Sequence, residues 1–156
     1  MRGVKSQKTL FMKTKYIVYP ILGKLVDLFL NQRGRLSGCV FGQKPDDRGL
    51  QIIGEILVFE GGDENPVENI FVCKISTPVN PDNFFDRIAN IDNVRSPTGF
   101  SIDSPPLEEM SVLQQRALPL AIEGRPFKAR FCFTDKKRAL LRGEPKVTYP
   151  EKDIFS

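Results

Sequence analysis

The clearest pattern in the chain is an alternation near its end. In Phe127-Lys-Ala-Arg-Phe-Cys-Phe-Thr134, the residues Phe127, Ala129, Phe131 and Phe133 take every second position. Side chains of a strand point alternately to its two faces, so this spacing predicts a strand with one apolar side. Tyr16-Ile-Val-Tyr19 and Asn69-Ile-Phe-Val-Cys-Lys-Ile75 are rich in strand-forming residues, and Thr98–Asp103 reads as a short strand closed by Ser104-Pro105-Pro106. The runs Leu36–Gly42 and Leu50–Phe59 are separated by Lys-Pro-Asp-Asp-Arg-Gly, a turn composition, which predicts an antiparallel hairpin. A second turn falls at Gly61-Gly62-Asp63-Glu64-Asn65-Pro66. After a turn at Asp135–Arg138, the segments Arg138–Leu141 and Lys146–Tyr149 are expected to close the sheet.

A different period appears elsewhere. Pro20 suits the first position of a helix, where its missing N–H has no partner to lose. Leu22, Leu25, Val26 and Phe29 follow at three- and four-residue spacings, so a helix is expected to about Asn31, ended by Gly34. Asp82–Asn90 reads as a short helix. Leu107–Ala121 reads as a longer one, with Met110, Leu113 and Leu118 on one side and Pro119 stopping or kinking it. No repeat, low-complexity block or linker interrupts the chain. The expectation is an α/β (α+β) sandwich, a curved and largely antiparallel sheet flanked by the first and last long helices. Residues 1–15 read as a flexible basic leader, 16–150 as a single domain and 151–156 as a tail.

Composition narrows the class. At 156 residues, with 40% hydrophobic and 27% charged residues, the chain has the size and make-up of one globular domain. Its net charge of +4 is compatible with RNA, DNA or an acidic partner, and equally with an ordinary solvated surface. Cys39, Cys73 and Cys132 are scattered in apolar surroundings, which argues against a disulfide framework and for buried free thiols. The first twenty residues lack a signal-peptide pattern. The apolar window Ile21–Leu30 contains Lys24 and Asp27 and is too short for a bilayer. A cytoplasmic protein is expected.

Candidate chemistry is sparse. The chain has no His, which removes the commonest general base, the Ser-His-Asp and Cys-His arrangements and most zinc sites. No phosphate loop of the GxxxxGK[ST] type and no GxGxxG motif occurs. The paired acids Asp46-Asp47, Asp63-Glu64 and Glu108-Glu109 suit turns or a helix start. A magnesium site built from carboxylates alone stays open. Lys136, Lys137, Arg138, Arg142 and Lys146 lie close in sequence to Phe131 and Phe133. They offer a nucleic-acid patch of the kind a small basic protein of a virus or mobile element would use, unless these Phe face the core.

Several short motifs, in order, resemble the MPN/JAMM domain family. They are Val18-Tyr-Pro20, the Val26-Asp27 pair, Arg35-Leu-Ser-Gly38-Cys-Val-Phe-Gly42, Gly99-Phe-Ser-Ile-Asp-Ser-Pro105 and Glu109-Met-Ser-Val-Leu113. Laid on the family's metal motif, Ile102 and Ser104 take the two His positions, Val112 and Gln115 the Ser and Asp positions, and Arg35 the Glu position. The resemblance therefore implies a non-catalytic member without metal or cofactor, most like the one in eukaryotic translation initiation factor 3. Members of the proteasome lid and the signalosome are similar too. It implies a scaffold that pairs with another MPN-domain subunit in a large complex. Leu22, Val26, Phe29, Leu113 and Leu118 are then candidate partner contacts, and core packing is the other reading of each.

Overall fold

The computed structural model describes residues 12–76, 97–134, 139–152 and 154–155. The architecture is mixed α/β: a large mixed sheet with one α-helix on its face among the described residues. The strands are β1 (Lys13–Leu22), β2 (Leu25–Leu30), β3 (Leu36–Ser37), β4 (Cys39–Phe41), β5 (Leu50–Glu60), β6 (Glu68–Ile75), β7 (Thr98–Ser101), β8 (Phe127–Phe133) and β9 (Lys146–Thr148). They run in the order β3-β2-β1-β6-β5-β8-β9, with β4 also on β1 and β7 also on β2. A 3-10 turn at Leu107–Glu109 leads into α1 (Val112–Glu123).

The segment expected as a Pro-started helix is instead the β1–β2 hairpin. Gly23 takes φ +57 at its tip, a left-handed conformation that suits a tight turn. Pro20 sits between the stretch of β1 paired with β4 (Tyr16–Val18) and the stretch paired with β2 (Ile21–Leu22). On that side no ladder bond needs its missing N–H. The helical spacing was a product of two-sided burial. Val26 and Leu28 enter one core, while Phe29 enters a second cluster with Val18, Cys39, Phe41, Cys73 and Ile75 on the opposite face. Val26 thus points away from Leu22, Leu25 and Phe29, so the four make no single apolar face, and Leu25 is exposed.

The expected hairpin between Leu36–Gly42 and Leu50–Phe59 also dissolves. β4 pairs with β1, whereas β5 pairs antiparallel with β6 and parallel with β8. The sheet is therefore mixed, because β1–β6 and β5–β8 are parallel. The strand expectations for Asn69–Ile75 and Thr98–Asp103 correspond to β6 and β7. β8 follows its alternation: Phe127, Ala129, Phe131 and Phe133 are buried and Lys128 and Arg130 are exposed. β9 closes that edge. The expected helix at Asp82–Asn90, and Lys136, Lys137 and Arg138, lie outside the described residues.

α1 begins later than its periodicity implied and runs past Pro119 to Glu123, where Gly124 at φ +75 caps it. Pro119 is on the exposed side of the helix. The inner side, Ala117, Leu118 and Ala121, packs on Ile17, Tyr19, Ile56, Val58, Ile70 and Val72. No described helix is long and apolar enough to cross a membrane.

Glu144 fastens the β8–β9 edge. Its carboxylate accepts the Cys132 N–H at 3.0 Å and pairs with Arg130 at 3.5 Å. Partial burial alone would raise its pKa, but the bonds from Cys132 and the Arg130 guanidinium outweigh burial and lower it. A carboxylate depressed in the folded state contributes stability above its unfolded value and loses it as pH falls through the folded one. The stability difference between wild type and Glu144→Gln, measured by urea unfolding, should be full near neutrality. It should shrink as pH drops below the ordinary value of 4.5. A pH-independent difference would contradict this assignment.

Candidate functional site

Strand register gathers polar residues at one end of the helix-covered face. Lys13 aligns with Glu68 across the parallel β1–β6 pair, so Lys15, Ile17 and Tyr19 share a face with Glu68, Ile70 and Val72. On the other side Glu68 opposes Val58 of β5, and Glu60 aligns with Phe133 of β8. The start of β1, the start of β6, the end of β5 and the end of β8 therefore meet at one rim. A cleft of about 610 Å³ opens there, lined by Lys15, Arg33, Glu60, Glu68, Gln114 and Phe133 among others.

The β2–β3 loop forms one wall. Asn31 Oδ1 accepts the N–H groups of Arg33 and Arg35, each at 3.0 Å, and Gly34 takes φ +74 to close the turn. This local bonding holds Gln32 and Arg33 against the cleft. The opposite wall is the first turn of α1. Ser111 caps it, its Oγ accepting the Gln114 N–H at 3.4 Å, and Ser111, Val112 and Leu113 line the opening.

The floor carries an ion pair. Lys15 Nζ lies 2.8 Å from Glu68 Oε2, with the Glu68 side chain 5% exposed and that of Lys15 42% exposed. A carboxylate this buried requires a close cation, and Lys15 supplies it while still reaching water.

Gln114 joins the walls to the sheet. Its Oε1 accepts the Tyr19 hydroxyl at 3.0 Å and the Gly38 N–H at 2.9 Å, and its Nε2 donates to Ser37 Oγ at 2.7 Å. Burial pushes the Tyr19 phenol far above its ordinary value, so it stays a neutral donor. Gly38 is required here, since a Cβ would stand 2.7 Å from the Tyr19 ring.

The residues singled out by the MPN/JAMM comparison divide into two groups. Arg35 and Gln115 both donate to the Met110 carbonyl, at 3.4 Å and 3.0 Å, next to Val112 at the start of α1. Ile102 packs on the core from the turn after β7, where its N–H bonds the Lys24 carbonyl, and Ser104 belongs to the same turn. Of the proposed partner contacts, Val26, Phe29 and Leu118 are buried within the chain, while Leu22 and Leu113 are half-buried. Arg142 and Lys146 are exposed, but Phe131 and Phe133 beside them point into the core. Cys39 and Cys73 are buried free thiols; burial raises both, Cys73 to about 12. Sequence reasoning missed Lys15, Arg33, Glu60, Glu68 and Gln114. Only Gln114 carried a local signal, as a polar residue among the inward positions of α1.

The described residues do not fit a cage for a divalent cation. Among the described residues no group of three His, Cys, Asp or Glu side chains comes together. Of the cleft's two carboxylates, Glu68 is already held by Lys15.

No protein-family model and no curated protein matches the chain. Among solved structures, the fold is similar to that of the mutator MutT protein from Bacillus halodurans. The TM-score is 0.63 at 11% identity, over 86% of this chain and 96% of that one. The fold is thus like that of this MutT protein, and the MPN/JAMM resemblance is corrected. The reading as a translation-factor scaffold falls with it. So does the exclusion of an enzyme, which rested on the missing His and on altered positions of a motif belonging to another fold.

The network makes a direct prediction. Replacing Gln114→Leu leaves the Tyr19 hydroxyl and the Gly38 N–H without their buried partner and removes the donor to Ser37 Oγ, which keeps its bond to the Gly38 carbonyl. Urea unfolding should show a loss of about 3 kcal/mol. A loss below about 0.5 kcal/mol, the range of surface changes, would contradict the network.

Proposed function

We propose that this chain is a hydrolase-type domain acting on a phosphate-bearing small molecule bound in the cleft between β1, β6 and the start of α1. The observation that carries this reading is the convergence of Lys15 and Arg33 on one cleft that also holds Glu60. Support comes from the MutT-like fold, although fold likeness alone assigns no substrate.

The chemistry follows from the residues. A phosphate group needs cations and N–H donors, which Lys15, Arg33 and the opening turn of α1 provide. In hydrolysis, water attacks phosphorus, its proton leaves to a base, and the bond to the leaving phosphate oxygen breaks. Glu60 is assigned as the base. Lys15 and Arg33 offset the charge that builds on the phosphoryl oxygens. Ile17, Val40, Ile70 and Phe133 give the apolar lining for the rest of the ligand.

A panel of nucleoside diphosphates, nucleoside triphosphates and sugar phosphates, assayed for phosphate or pyrophosphate release, tests this reading. At least one compound should be cleaved. Glu60→Gln should lower kcat about 100-fold with little change in KM, as expected for loss of a general base. Cleavage unaffected by Glu60→Gln would remove its assignment. Failure of every compound to bind or react would overturn the reading.

A further inference from the structure

Sites that cleave phosphates ordinarily hold a divalent cation between protein carboxylates and phosphate oxygens, where it neutralises and orients the ligand. Such a cation bridges two anions. At the floor of this cleft a bridge of that kind already has an occupant. Glu68 is the buried anion, fixed on β6, and the cation beside it at 2.8 Å is the Lys15 ammonium, fixed on the adjacent strand β1.

The exposures give the bridge a direction. Glu68 is 5% exposed and Lys15 42% exposed, and both line the cleft. An incoming anion therefore meets Lys15 before Glu68. A metal ion seeking Glu68 would have to displace a tethered ammonium and find a third ligand. No third carboxylate, His or Cys side chain stands with these among the described residues. Arg33 adds a second permanent cation to the cleft, whose other carboxylate is Glu60.

From this disagreement between the donor set and a metal site, we propose that Lys15, braced by Glu68, takes the place of a divalent cation. The cleft then binds phosphate-type anions without metal. The proposal rests on the reading of the cleft as a phosphate site and adds the means by which the charge is met.

Inorganic pyrophosphate, titrated calorimetrically into the full chain, is the probe. One titration contains EDTA and a matching one contains millimolar Mg²⁺. Binding should be present in both, with dissociation constants within about twofold of each other, well under the tenfold that corresponds to 1.4 kcal/mol. Lys15→Met alone leaves a buried carboxylate uncompensated and risks the fold. The double variant Lys15→Met/Glu68→Met removes both charges and keeps the bulk, so it is the working control. Its affinity should drop at least about tenfold in both buffers, in keeping with the loss of a charge-assisted contact. Binding seen only with Mg²⁺ would overturn this proposal and leave the phosphate-site reading standing, as would wild-type affinity in the double variant. No binding in either buffer would overturn both.

Discussion

The side-chain amide of Gln114 holds α1 to the sheet at the point where the cleft opens. One oxygen takes two donors, the Tyr19 hydroxyl of β1 and the N–H of Gly38 between β3 and β4, and the nitrogen reaches Ser37. Apolar contacts alone would leave the helix some freedom to slide, because burial is non-directional. A buried amide with three bonded partners permits one position only. The first turn of α1, and with it one wall of the cleft, is placed by that constraint. Gly38 has no side chain for the same reason: the Tyr19 ring occupies the space where one would stand.

The rest of the site follows from strand register. The parallel β1–β6 pair and the antiparallel β5–β6 pair bring Lys15, Glu68 and Glu60 to one rim, although they come from three separate strands. Below the rim the same face is apolar and packs on α1. The cleft is therefore the place where the core ends and polar side chains take over along continuous strands. Rigid strands and a pinned helix hold the charged groups, so their positions cost little to maintain when a ligand arrives.

Legibility in the sequence divides along physical lines. β8 could be read residue by residue because only one of its faces is buried and alternation survives. β1 and β2 were misread because both of their faces are buried. Val26 and Leu28 serve one core and Phe29 the other, and apolar residues on both sides mimic a three- and four-residue period. The mixed α/β class could be read from the run of strand and helix patterns, but not the pairing. The parallel neighbours β1–β6 and β5–β8 are distant in sequence and leave no local trace. The MPN/JAMM likeness used short motifs whose residues, such as Arg35, Gln115 and Ile102, turn out to stabilise turns and the helix start. The cleft was invisible for the reason the pairing was, since Lys15 and Glu68 become neighbours only through the sheet.

The most direct test of the central claim is a titration of the isotope-labelled chain with pyrophosphate, followed by the backbone amide resonances. The account expects shifts concentrated at Lys15, Asn31–Arg33 and Ser111–Leu113, the walls and floor of one cleft. Shifts confined instead to the basic edge at Arg142 and Lys146–Thr148, with the cleft amides unmoved, would contradict it.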